Sequence, residues 1–195
     1  MTTTTESWLP ATDGLKLLVK RFTPEALVPK AKLIFLHGHD HHCRYCGHQH
    51  TLEYGIGWYA LVAGMYEAFF RILATTQIEV VAYDLRGFGH SINRNTPAGD
   101  SGPTSTTLND LSTIITAETT TNTNSNPPLF LMGHSMGGAI VFTCSCLSPA
   151  NLINKIRGWL GEAPDFGLPP NAPTRPSPVK LAILRLLHFF APRGR

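Results

Sequence analysis

The sequence predicts an α/β architecture: a mostly parallel sheet flanked by helices. Three observations carry that expectation. Residues 32–37 (KLIFLH), 78–84 (IEVVAYD) and 129–132 (LFLM) are continuous apolar runs, the pattern of strands covered on both faces. A glycine follows each run within a few residues, and a stretch of helix-forming composition comes after it. Strands that alternate with helices in this way build parallel sheets. At 195 residues the chain has the length of one domain.

Taken in order, residues 2–5 read as a polar leader. Residues 6–10 and 15–22 are predicted as two short strands joined through Asp13-Gly14, a dipeptide that tolerates the positive φ of a tight turn. Histidines cluster between residues 37 and 50, and a helix is expected over 57–73. After the strand at 78–84 comes the glycine-rich run 86–89, then a loop over 93–105. A helix over 107–117 is expected, capped near Thr106 or Thr107. The Thr/Asn tract 119–126 ends at Pro127-Pro128 and reads as exposed. A helix over 136–147 and a weaker strand over 156–161 follow. Residues 163–178 hold six prolines and are expected to be irregular, whereas 179–190 is apolar with a helical pattern. No internal repeat is apparent.

The chemistry concentrates at Gly133-His134-Ser135-Met136-Gly137. An apolar strand leads in and a helix-forming stretch leads out, the setting of a nucleophile elbow, which holds a serine in a strained conformation with its Oγ projecting. Gly133 and Gly137 are required where strand and helix close on each other, because a β-carbon at either would collide. The N-terminus of the helix that follows offers unpaired N–H groups to a developing oxyanion. A second donor is expected from the loop after the strand at 32–37, where His37-Gly38-His39 stands. The expected oxyanion pair is therefore the N–H of Met136 and that of His39.

Three motifs, His37-Gly38, then Asp84-Leu85-Arg86-Gly87-Phe88-Gly89-His90-Ser91, then Gly133-His134-Ser135-Met136-Gly137-Gly138, resemble the monoglyceride lipase/lysophospholipase branch of the α/β hydrolases, also known as the serine aminopeptidase S33 type. The resemblance runs from about Trp8 to Pro164. It implies an α/β-hydrolase-type sheet in the order 1-2-4-3-5-6, with Ser135 as nucleophile and His39 and Met136 as oxyanion hole. It implies a substrate that is an acyl ester or lipid. Asp84, Arg86, Gly87 and Gly89 are read as shaping the loop after the fourth strand. The resemblance also implies a triad acid after a seventh strand and a histidine after an eighth. The histidine that follows Ser135 is His188, in an apolar helical context unlike a catalytic loop, and Asp165 after the sixth strand has no histidine to orient. The expectation is a C-terminally truncated hydrolase with the sixth strand at an edge and turnover impaired. A fragment, a mis-predicted gene and a degenerate copy stay open as explanations, as does a non-catalytic binding protein that keeps the elbow. Residues 1–162 form the expected core, and 163–195 resemble the start of a cap.

Other classes find less support. A net charge of +3 without a basic run gives no footing for nucleic acid. No apolar stretch reaches the roughly 18 residues of a membrane span, and residues 1–14 lack the pattern of a secretory signal. A cytoplasmic location is expected, on which Cys43, Cys46, Cys144 and Cys146 read as reduced thiols or metal ligands rather than disulfides. His41, His42, Cys43, Cys46, His48 and His50 offer imidazole and thiolate to zinc, but ten crowded residues strain tetrahedral closure, so no metal and no cofactor is assigned. Two readings of 179–190 stay open: peripheral membrane contact, or packing on a core.

Overall fold

The computed structural model describes residues 2–25, 28–38, 66–92, 99–120 and 127–167. The elements in chain order are β1 (Thr2–Pro10), β2 (Lys16–Pro24), β3 (Ala31–Leu36), α1 (Glu67–Thr75), β4 (Ile78–Tyr83), α2 (Thr104–Thr119), β5 (Leu129–His134), α3 (Met136–Leu147), α4 (Ala150–Ile153) and β6 (Ile156–Glu162). All lie in the first of two compact units, Met1–Asp165; of the second, Phe166–Arg195, only residues 166–167 are described.

The described strands form one sheet in the order β1-β2-β4-β3-β5-β6, as expected. β4, β3, β5 and β6 run parallel, while β1 and β2 form an antiparallel hairpin joined to β4. The uninterrupted apolar runs follow from this layering. Ile34 and Leu36 face one side with Val19, Val81, Tyr83 and Leu131, against Leu111, Ile114 and Ile115 of α2 and Val141 of α3. Leu33 and Phe35 face the other, with Phe22, Val80 and Ala82, against Phe70 and Ala74 of α1. Each buried Val, Leu, Ile or Phe among them contributes about 1.5–3 kcal/mol relative to exposure.

With both faces apolar, alternation alone does not set the register of β3. Its polar ends do. At the start, Lys32 Nζ reaches Glu118 at 2.8 Å and Glu79 at 3.5 Å; just past the end, buried His37 accepts the Leu85 N–H at 3.0 Å. A one-residue slip would bury Lys32 without these partners, a far larger cost than any apolar rearrangement.

Several expectations are corrected. The polar leader is strand: Thr2–Thr5 pair with Arg21–Pro24, whose free edge takes a backbone partner without needing apolar side chains from it. The turn after β1 spans residues 11–15, with Gly14 at φ 84° and the Leu15 N–H on Asp13 Oδ1. α2 begins earlier than expected, behind Pro103 rather than a threonine cap. A proline locked near φ −62° sets the entry, and Thr107 turns inward to donate to the Ser101 carbonyl. α1 is described from Glu67; the earlier part of the helix expected over 57–73 falls on residues 57–65, outside the described residues. So do the helix expected over 179–190 and the histidine-rich stretch at 39–50. Among the described residues no helix is long and apolar enough to cross a membrane.

Candidate active site

β5 carries the chain directly into Ser135, and α3 starts at Met136. Ser135 has φ 52° and ψ −117°, in the left-handed half of the map where a non-glycine residue costs about 1–3 kcal/mol. The flanking glycines make that turn sterically feasible. A β-carbon on Gly133 would run into the Gly137 carbonyl, and one on Gly137 into the Leu36 carbonyl of β3. Strand, turn and helix therefore pack backbone to backbone. The backbone groups of Ser135 are taken up: its N–H donates to the Glu162 carbonyl at 2.9 Å. Its carbonyl accepts from Ala139 at 3.1 Å and from Asp165 at 3.0 Å.

The loop after β3 passes beside this turn. A β-carbon on Gly38 would lie 2.9 Å from His134 Nδ1 and 3.0 Å from Ser135 Cβ. The neighbouring His37 is fully buried and its protonation is set by its partners. Because the Leu85 N–H can only donate, Nε2 accepts, so Nδ1 carries the proton and donates to the Gly38 carbonyl at 2.8 Å. A neutral imidazole thus ties Gly38 to the chain after β4. His39 lies outside the described residues, so of the expected oxyanion pair only Met136, the first residue of α3, is placed.

One residue escapes the sequence reading. Tyr66 Oη is 2.8 Å from His134 Nδ1, and its ring packs on Phe35 with centroids 4.7 Å apart. Tyr66 thereby braces the residue preceding the nucleophile against the root of α1. His37 belongs to the His37-Gly38 motif, but its bonds to Leu85 and Gly38 are not readable from that motif.

The loop after β4 is built as the sequence suggests. The buried Asp84 carboxylate accepts the His90 N–H at 2.8 Å, and burial pushes its pKa up despite that bond. Arg86 spans two carboxylates, Asp110 at 2.8 and 2.9 Å and Asp13 at 2.6 and 3.1 Å. The guanidinium holds the Asp13 pKa below the ordinary carboxylate value. Burial outweighs the same partner at Asp110 and raises its pKa. Gly87 and Gly89 both turn at positive φ.

Among the described residues no group of three or more His, Cys, Asp or Glu could hold a metal ion; the motif at 41–50 lies outside them, as do Cys43, Cys46 and His188. Cys144 and Cys146 are free thiols, Cys144 buried and its pKa raised by burial. A groove of about 410 Å³ between Lys32, Glu118, Leu129 and Arg157 opens at the amino ends of the strands. Ligands of open α/β sheets bind at the carboxyl ends, where Ser135 sits.

A mostly parallel sheet whose fifth strand turns through a strained serine into a helix defines an α/β hydrolase. Within that class, a family model described as serine aminopeptidase, S33, matches residues 55–195, and the chain belongs to that family. A relative from Schizosaccharomyces pombe, named as a monoglyceride lipase, is 30% identical over 150 residues, 76% of this chain and 32% of that protein. A soluble variant of monoglyceride lipase from Saccharomyces cerevisiae, solved with a substrate analogue, superposes with a TM-score of 0.69 at 21% identity. That match covers 100% of this chain and 54% of the other. A carboxyl esterase from Bacillus coagulans, solved with glycerol, gives 0.57 at 18% identity over 83% of this chain and 44% of its own. The chain thus spans about half the length of these solved structures or less.

Proposed function

We propose that this chain acts through Ser135 as a serine hydrolase of carboxylic esters, with acylglycerols or lysophospholipids as substrates. The single observation that carries the reading is the Ser135 backbone, φ 52° at the junction of β5 and α3, a strain that a serine without chemical work has no reason to hold. Ser135 Oγ attacks the ester carbonyl, and the N–H groups of Met136 and His39 bind the oxyanion. The alcohol departs and water then releases the acyl group. No cofactor enters this scheme.

Oγ needs a base to take its proton. The base and acid are assigned to none of the described residues. The acylglycerol part of that substrate class is supported by the name of the Schizosaccharomyces pombe relative. Beside a core at 1–162 in the chain, residues 163–195 are proposed as the start of a cap segment, with 179–190 making peripheral membrane contact.

A fluorophosphonate probe tests the reading. Labelling of the wild-type chain that is lost in Ser135→Ala supports an activated serine. An unlabelled wild type refutes it and leaves a non-catalytic hydrolase-like binding protein. With labelling in hand, release of fatty acid from monoacylglycerol, lysophospholipid and a short-chain ester ranks the substrates.

A further inference from the structure

Ser135 and Ala163 both hold positive φ, 52° and 41°, without being glycine, and they belong to segments that are hydrogen-bonded to each other. β6 ends at Glu162, whose carbonyl takes the Ser135 N–H. Two residues beyond Ala163, Asp165 returns its own N–H to the Ser135 carbonyl. Between them, Pro164 sits where a β-carbon on Gly138 of α3 would touch it at 3.0 Å. The two backbone groups of the strained serine are thus gripped from one short turn, and the turn reaches both only because Ala163 reverses the chain through the left-handed region. Strain of this kind persists where surrounding contacts over-determine it.

We infer that Glu162-Ala163-Pro164-Asp165 is a positioning strap that holds Ser135 in its attacking conformation. It rests on the reading of Ser135 as nucleophile. The grip is made by main-chain groups, so it requires the Asp165 N–H whatever the side chain contributes. At residue 163, glycine keeps the turn, whereas a β-branched side chain is disfavoured at that φ.

The test compares paired variants of the full chain. Asp165→Pro deletes the N–H and Asp165→Ala retains it; Ala163→Val opposes the turn and Ala163→Gly accommodates it. Fluorophosphonate labelling is expected to slow by about tenfold to a hundredfold in Asp165→Pro and Ala163→Val, the effect of moving a reacting group by around 1 Å. It should stay within about twofold of wild type in Ala163→Gly, and Asp165→Ala should label at least about tenfold faster than Asp165→Pro. Equal labelling of Asp165→Pro and Asp165→Ala overturns the strap. Amide hydrogen exchange at Ser135 and Asp165 reads the same contacts without any activity. Slow exchange in wild type and Ala163→Gly that quickens in Ala163→Val supports the strap. Fast exchange in wild type, or unchanged protection in Ala163→Val, overturns it. If the wild type fails to label, the hydrolase reading falls, and exchange alone then decides whether the strap grips Ser135.

Discussion

Arg86 joins three parts of the fold at one guanidinium, and removing a single partner tests how that junction is held. Asp110 is 2% exposed at its side chain and Arg86 8%, whereas Asp13 is 54% exposed. Two effects oppose each other at Asp110. Burial disfavours its charge, and the two bonds to Arg86 favour it; the raised pKa says that burial is the larger. Breaking a buried pair from one side leaves the other charge stranded, at about 3–5 kcal/mol. Because Asp13 stays bonded to Arg86, Asp110→Asn is expected at the lower end, about 3 kcal/mol. For a unit of this size each kcal/mol moves Tm by about 2–4 °C, so thermal unfolding should fall by about 6–12 °C. Replacing both charges, Arg86→Met with Asp110→Leu, should return stability to within about 1 kcal/mol of wild type, since neither charge is then buried alone. Urea unfolding at neutral pH measures both. A loss below about 1 kcal/mol in Asp110→Asn, or a double variant as weak as the single one, would falsify the account of a desolvated pair with a solvated third partner.

Other outcomes follow from the same geometry. Tyr66→Phe keeps the ring on Phe35 but removes the hydroxyl from His134, and should cost about 1 kcal/mol while moving the His134 ring resonances in NMR; unmoved resonances would discount the bond. Gly137→Ala drives a β-carbon into the Leu36 carbonyl, backbone against backbone, so stability and probe labelling should fall together; a stable, fully labelled variant would contradict the packing. The pKa of Asp13 is lowered in the fold, so its contribution is present above the unfolded value and lost as pH falls through the folded one. With Asp13 half exposed, Asp13→Asn should lose less than about 1 kcal/mol at neutral pH and nothing in acid. At Asp84 the sign reverses. Its folded pKa is raised, so the charge costs stability as pH rises through the carboxylate range, and Asp84→Asn should gain on wild type over that interval. A difference independent of pH would show that Asp84 does not titrate across it.

What was legible in the sequence was local. Five residues around Ser135 announced the elbow because a strained serine demands small neighbours, and Gly133 and Gly137 do stand where β-carbons cannot. The apolar runs read as buried strands because both faces of β3 are covered. Thr2–Thr5 look like a polar leader for the complementary reason. An edge strand that pairs along one side needs no apolar pattern, and its partner is more than a dozen residues away.

The nature of the strands, the elbow and the family were thus determined by the sequence alone, since each rests on dihedral limits or apolar runs within a few residues. The approach of Tyr66 to His134, the neutral state of His37 and the return of the Asp165 N–H to Ser135 were decided only by the tertiary structure. Those contacts join residues up to 68 positions apart, and they depend on strand register and on the packing of α1 and α3, for which single residues carry no local signature.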